Sequence, residues 1–404
     1  MISCNSIHKA LYLTSTDLRH CCKKFFFKGK LKGDAKLFKV TKKNISFEDV
    51  LIAKKNLLEK INNNIENICT GCPWLDDGFD NIEKNFQLEL ISIENHSLCN
   101  LKCIYCNANY YGGKEGNYDI LSLLNDLKKN NAISPNLTIA WGGGEPLIKR
   151  DFYNTFTKIN KLLTPKRNNI FTNATIFNEK ICENINNYNI HLITSIDAGT
   201  KETYLKIRKK DFFNEVFINL QKYAQNNSSF IHIKYILLDE NISEKEINGF
   251  INKTIKHNLQ NCNFMISVDV RAKNLSNKHI YAALNLFNKL KSIGAESINF
   301  DDILSPKIAK EVNELKNIEK IVMWGAGEYA KRLLDTMPNL KEKVEFLVDS
   351  NIQGELYNIP IKKPNKELLQ NKKIIICSTL HYREILEEIL RIGVPKNNII
   401  KLLF

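Results

Sequence analysis

Three cysteines in the stretch CNLKCIYC, Cys99, Cys103 and Cys106, stand at C-x3-C-x2-C spacing. Thiolates this close disfavour one another unless a positive centre sits among them, and soft sulfur ligands select zinc or an iron–sulfur cluster. A structural zinc site wants a fourth Cys or His nearby, and His96, three residues upstream, keeps that reading open. A disulfide would strand one of the three. A cluster held by three thiolates differs from both, because one iron is left for a non-protein ligand. Five more cysteines lie toward the N-terminus: Cys4, the adjacent Cys21 and Cys22, and the C-x2-C pair Cys69 and Cys72. Brought together across a helical segment from Phe47 to Asn67, four of them can make a site that again suits zinc or a 4Fe–4S cluster; the alternative is a set of unrelated buried thiols.

The elements that must position these residues are set by length and composition. A chain of 404 residues, 43% apolar and 25% charged, is long enough for two or three globular domains. No run approaches a membrane span, and the first residues lack a charged-then-apolar leader, so a cytoplasmic protein without a membrane partner is expected. Eleven cysteines in that compartment read as metal-binding or catalytic rather than disulfide-forming. The net charge of +14 comes from Lys scattered among Asn and Ile, with no dense basic block interleaved with aromatics. No nucleic-acid partner is expected from it. Cys182, Cys262 and Cys377 sit in apolar surroundings and read as core packing.

Between residues 88 and 304, strand-like runs alternate with amphipathic segments. The runs begin with Leu88–Ile93, Leu137–Gly143 and Asn169–Asn173, and continue with His191–Asp197, Phe230–Leu238 and Phe264–Val270. The helical segments include Tyr118–Lys129, Phe152–Leu163, Ile242–His257 and Ala282–Ile293. The alternation predicts an α/β fold of parallel strands with crossover helices, with chemistry at the C-terminal strand ends. After the second run come Gly142, Gly143, Gly144, Glu145 and Pro146, where glycines admit a close backbone approach and Glu145 accepts from an ammonium group. Thr172 and Asn173 close the third run. Ser195 and Asp197 end the fourth on one face, placed for a ribose, although Asp197 also reads as the N-cap of a helix starting near Thr200. Arg208 carries a fork suited to a carboxylate. Ile236 shares a face with Lys234 and suits an adenine ring, and Asp269, on the sixth run, is the candidate catalytic, proton-handling group.

With Tyr105 directly before its last cysteine, the loop resembles the cluster loop of the radical S-adenosylmethionine superfamily. The resemblance implies a partial (β/α)6 barrel whose 4Fe–4S cluster sits on Cys99, Cys103 and Cys106, with S-adenosylmethionine chelating the open iron. Gly143, Gly144, Glu145 and Pro146 resemble the family's GGEP element, which holds the cofactor's amino group. Reductive cleavage would give a 5′-deoxyadenosyl radical that takes a hydrogen atom from a substrate, with the electron coming from a donor such as flavodoxin or ferredoxin. Residues 1–87 resemble a SPASM-type auxiliary module, implying a second 4Fe–4S cluster on Cys4, Cys21, Cys69 and Cys72, with Cys22 an alternative to Cys21. This module precedes the barrel instead of following it, and His20 replaces the usual proline before the cysteine pair.

Residues 319–404 read as a separate small α/β unit. A strand, Ile321–Trp324, runs into Gly325-Ala326-Gly327 and a helix from Ala330 to Met337, and a second strand ends in Asp349. This order matches dinucleotide-binding folds, with phosphate at the helix start and a sugar hydroxyl on Asp349. Further elements follow: a strand from Lys373 to Cys377, a helix from Tyr382 to Ile392, and a closing strand from Asn398 to Leu403. The unit resembles the Rossmann-like domains of sugar-modifying enzymes and tilts the expected substrate toward a carbohydrate or nucleotide-linked sugar, oxidised or epimerised. The SPASM resemblance argues instead for a peptide or protein substrate. A reading of another class is a non-catalytic zinc or iron–sulfur scaffold with a nucleotide-sensing domain.

Overall fold

The computed structural model describes residues 1–41, 43–82, 86–106, 113–269, 276–305, 308, 319–336, 338–378 and 381–400. Compactness divides the chain into two units, residues 1–196 with 200–232, and residues 197–199 with 233–404.

In the first unit a short helix α1 (Asn5–Lys9) leads into strands β1 (Ala10–Thr14) and β2 (Asp17–Arg19), a hairpin of β3 (Lys24–Phe27) and β4 (Lys30–Gly33), and β5 (Lys36–Lys39). Helix α2 (Phe47–Asn62) begins at a capping box, in which the Ser46 hydroxyl accepts from Asp49 N–H and the Asp49 carboxylate accepts from Ser46 N–H. Its buried stripe is Phe47, Val50, Leu51, Lys54, Leu57, Leu58 and Ile61, a helical period with one lysine in it. The expected continuation to Asn67 is absent; the helix stops at Asn62, and Asn64 has φ of 55°.

Alternating elements follow: β6 (Leu88–Glu94), α3 (Ile120–Lys129), β7 (Ile133–Trp141), α4 (Phe152–Leu163), β8 (Arg167–Phe171), α5 (Glu179–Glu183), β9 (Ile190–Ser195), α6 (Lys201–Arg208) and α7 (Phe213–Asn227). The strand order in this unit is β9-β8-β7-β6-β1-β2-β5, parallel from β9 to β1 and antiparallel beyond. Thus β1 lies parallel to β6, Tyr12 opposite Ser92, and pairing runs straight across residue 87.

The second unit holds all but the first two residues of β10 (Ile231–Leu237), with α8 (Glu244–Lys256), β11 (Asn263–Val268), α9 (Asn277–Ser292) and β12 (Ile298–Phe300). Burial alternates along β10, so Lys234 and Ile236 share the less buried face as expected. A six-stranded sheet follows, built from β13 (Ile321–Trp324), α10 (Glu328–Thr336), α11 (Pro338–Lys341), β14 (Val344–Val348), β15 (Gly354–Leu356), β16 (Ile359–Lys362), α12 (Lys366–Leu369), β17 (Ile374–Ile376), α13 (Tyr382–Ile392) and β18 (Ile399–Ile400). Its order is β15-β16-β14-β13-β17-β18, parallel except for β15. Val322, Trp324, Phe346, Val348, Ile374, Ile376 and Ile389 form its core. Met337, at the end of the expected helix from Ala330, and residues 401–403 of the expected closing strand lie outside the described residues. The α/β class with parallel strands is what the chain adopts. No helix among the described residues is long and apolar enough to cross a membrane.

Candidate active site

The cysteine loop leaves β6 at Glu94 and lies on two supports. One is the glycine turn after β7, where Glu145 N–H donates to the Leu98 carbonyl at 2.7 Å. A Cβ on Gly144 would fall 2.0 Å from the Leu98 oxygen, and one on Gly143 (φ 96°) would fall 2.5 Å from that of His96. The close approach these glycines permit is therefore to the cysteine loop itself. The other support is the C-terminal end of α6, where Lys102 N–H donates to Arg208 O (3.2 Å) and Ile104 N–H to Ile207 O (3.0 Å).

Arg208 is buried. Its Nη1 donates to Cys103 Sγ at 3.2 Å, its Nη2 to the Ser195 carbonyl, and its guanidinium carbon lies 5.3 Å from the Tyr105 ring centroid. Cys99 Sγ accepts from Leu101 N–H (3.4 Å) and from Asn173 Nδ2 (3.8 Å). Burial pushes the Cys99 thiol up, helped by the Glu145 and Cys103 charges, and pushes Cys106 up to about 11, helped by Cys103 and Cys99 and opposed by Arg208. The three sulfurs thus share one locale. Among the described residues no three His, Cys, Asp or Glu side chains converge on one ion-sized point. Thiolates on separate irons of a cluster have no need to. His96 pairs in a β-bridge with Glu115.

Glu145 is 1% exposed, and the structure brings it together with the expected Thr172 and Asn173. Its Oε1 accepts from Thr172 Oγ1 (2.8 Å) and Leu147 N–H (3.1 Å), and its Oε2 from Asn173 N–H (2.6 Å). Burial nonetheless pushes the carboxyl up to about 7, and no cation pairs with it among the described residues. A buried carboxylate lacking a cation fits an ammonium-bearing cofactor. Sequence reasoning passed over Glu94, whose signal was an acid ending the run that feeds the cysteine loop. Burial raises its pKa, Ser92 Oγ donates to its Oε1 at 2.8 Å, and its Cα lies 3.0 Å from where a Gly143 Cβ would stand.

The N-terminal cysteines also converge. Cys69 is pushed up to about 12 by burial, then by the charges of Cys72, Cys4 and Cys21; Cys21 is pushed up to about 11 by burial, then by Cys4 among its neighbours. Cys4 is the N-cap of α1, and a tight turn sets Cys72 N–H on Cys69 O at 2.9 Å. Cys22 turns away, its Sγ donating to the Tyr12 hydroxyl at 3.2 Å. His20, 1% exposed, sets Nε2 3.8 Å from Cys69 Sγ, while its buried Nδ1 has no hydrogen-bond partner among the described residues. Four gathered thiols beside an orphaned buried polar atom fit a metal–sulfur group better than a plain core.

In the second unit the predicted residues are more fully engaged. Asp197 is not a helix cap: Thr200 is, its hydroxyl accepting from Thr203 N–H. Asp197 is buried with φ of 59°, its Oδ1 accepts from Ile236 N–H at 2.7 Å, and Asn241 donates to its carbonyl. Asp269 is half-buried just past β11. Asp349 closes its own turn, taking N–H donors from Asn351 and Ile352, and takes a third from Ala326 in the glycine turn (2.9 Å). A Cβ on Gly325 (φ 106°) would lie 2.6 Å from Cys377 O, whereas one on Gly327 would meet nothing within 4 Å among the described residues.

Comparison with known proteins bears on the first of these sites. Residues 96–251 match the Radical SAM superfamily, and residues 317–400 match a family described as C2185-like, N-terminal. The central segment, residues 96–251, is therefore a radical S-adenosylmethionine domain. That match supports a 4Fe–4S cluster and S-adenosylmethionine as its cofactors. An uncharacterized protein of Methanocaldococcus jannaschii is 27% identical over 276 residues, 65% of this chain and 81% of that protein. A GTP 3′,8-cyclase of Desulforamulus reducens is 28% identical over 149 residues, 35% of this chain and 44% of the cyclase, so the match spans less than half of that enzyme. Streptococcus suis SuiB bound to S-adenosylmethionine aligns with TM-score 0.42 at 16% identity, over 63% of this chain and 55% of SuiB. The enzyme anSMEcpe with bound AdoMet aligns with TM-score 0.42 at 17% identity, over 56% and 66%.

Proposed function

We propose that the chain is a two-cluster radical S-adenosylmethionine oxidoreductase. The observation that carries this is the convergence of Cys4, Cys21, Cys69 and Cys72, apart from the three-cysteine loop and within the same unit. When bound, the cluster and S-adenosylmethionine supply a 5′-deoxyadenosyl radical able to take hydrogen from an unactivated C–H bond. Glu145, Thr172 and Asn173 hold the cofactor's amino end, and Arg208 fixes the loop. Glu94, at the end of the strand that feeds the cysteine loop, is the carboxyl group that would handle the substrate's proton. A second cluster would accept the electron left when the substrate radical is oxidised.

The substrate we favour is a nucleotide-linked sugar, bound by residues 319–404 as a Rossmann-like unit. The open space beside Gly327 at the start of α10 supports phosphate there, while the engagement of Asp349 argues for a different sugar contact. A peptide substrate is favoured by another feature, a groove of about 610 Å³ along β5 and α2 lined by Leu37, Phe38, Ile52 and Lys60. Protein purified and reconstituted without oxygen should hold about eight irons. It should form 5′-deoxyadenosine with dithionite, and a deuterated nucleotide sugar should pass deuterium into that product. Iron without any such transfer, but with transfer from a peptide, would replace the sugar reading. Within the cysteine pair, Cys21→Ala should cost about four irons and Cys22→Ala none. Equal loss in both variants would count against the assignment of Cys21.

A further inference from the structure

Lys54 is the lysine in the apolar stripe of α2, and it is 0% exposed. Its ammonium donates to the carbonyls of Ile7 and Ala10 (3.0 Å for Ala10), at the end of the short helix that Cys4 opens, and lies 5.4 Å from the Phe86 ring centroid. Two carbonyls and a ring solvate the ion without cancelling its charge. No carboxylate pairs with it among the described residues; burial pushes the ammonium down to about 7, and the charge of Cys4 opposes that shift. A fully buried ammonium without an anion is costly, and chains retain one where an anion answers it. The anion available is the four-cysteine site, since four thiolates outweigh the charge of a 4Fe–4S core.

We propose that Lys54 is the buried counter-ion of the second cluster, holding its reduced, more negative form at a potential where it can accept the substrate's electron. The inference rests on the reading of Cys4, Cys21, Cys69 and Cys72 as cluster ligands. A cation fixed in a medium that screens poorly favours whichever redox state carries more negative charge. Net charge around such a cluster is among the factors that set its potential.

The test uses the full chain carrying Cys99→Ala, Cys103→Ala and Cys106→Ala, so that only the second cluster contributes. Iron is counted and the cluster is titrated potentiometrically by electron paramagnetic resonance in this parent, in Lys54→Met and in Lys54→Gln. The glutamine amide keeps a donor for the two carbonyls and removes the charge, which covers the case of a methionine variant that does not fold. Both variants should be harder to reduce by at least tenfold in equilibrium constant, about 59 mV for one electron. Selective loss of iron from folded variants would support the same role. Four irons retained at the parent's potential would overturn the assignment of Lys54 alone. A parent without iron would overturn the four-cysteine reading and the counter-ion with it.

Discussion

Arg208→Met should strip the loop cluster rather than merely weaken cofactor binding. The substitution keeps most of the volume but removes the donors to Cys103 Sγ and to the Ser195 carbonyl, and the cation 5.3 Å from Tyr105. Breaking a buried charged contact by removing one partner costs about 3–5 kcal/mol. Here the partner left behind is the Cys103 sulfur, and the ionised form of Cys106, which Arg208 also favours, loses its support. The expected result is a fall in bound iron toward half and a drop in 5′-deoxyadenosine formation of about two orders of magnitude or more. Lysine should rescue poorly, because a point charge cannot serve a sulfur, a carbonyl and a ring at once. Were Arg208 instead the clamp for the cofactor's carboxylate, as its side chain suggests in isolation, Arg208→Met would keep its iron and lose only affinity for S-adenosylmethionine. Iron content and cofactor affinity measured on one preparation separate the two roles.

The difference between those roles shows where sequence reading reaches its limit. Cys99, Cys103 and Cys106 are legible because their partnership lies within eight residues and thiolate chemistry is selective. Gly143 and Gly144 are legible as a close approach, but what approaches them is a loop some 45 residues earlier, at Leu98. Arg208 finds its sulfur 105 residues away, which no periodicity encodes. Asp349 has the spacing of a ribose acid and spends its carboxylate on two backbone N–H groups of its own turn and one of the glycine turn, so one spacing serves two purposes. The strands β6 to β11 follow long apolar runs, whereas β1 to β5 are three to five residues each, too short for their pattern to stand out. That is why the parallel pairing of β1 with β6 came only from the structure. Lys54 was hidden for a different reason: a lysine in an apolar stripe reads as a surface residue until its burial is seen.

Glu145 should make S-adenosylmethionine binding pH-dependent. In the ligand-free protein burial places its carboxyl near 7, against an ordinary value of 4.5. Below about pH 7 the group is protonated and offers no charge to an ammonium; above it the carboxylate is ionised. Affinity should therefore rise between pH 6 and pH 8, and cofactor binding on the acid side should release a proton. Stability of the ligand-free protein runs the other way. The folded state holds a proton that the unfolded chain gives up between pH 4.5 and 7, so stability falls across that window, by about 3 kcal/mol in all. Glu145→Gln should weaken binding tenfold to a hundredfold, as loss of a charged hydrogen-bond partner implies, and should flatten the pH profile. Its amide oxygen can still serve Thr172 and Leu147, while Asn173 N–H loses its acceptor at a cost of about 1–3 kcal/mol. Above pH 7 that cost offsets the relief of removing a buried charge, so the ligand-free variant should melt close to the wild type even as cofactor affinity drops. Calorimetric titration of S-adenosylmethionine at pH 6, 7 and 8, in buffers of differing ionisation enthalpy, measures both affinity and proton release. A wild-type affinity that ignores pH, or a glutamine variant that binds as well, would show that the cofactor's amino group is held elsewhere.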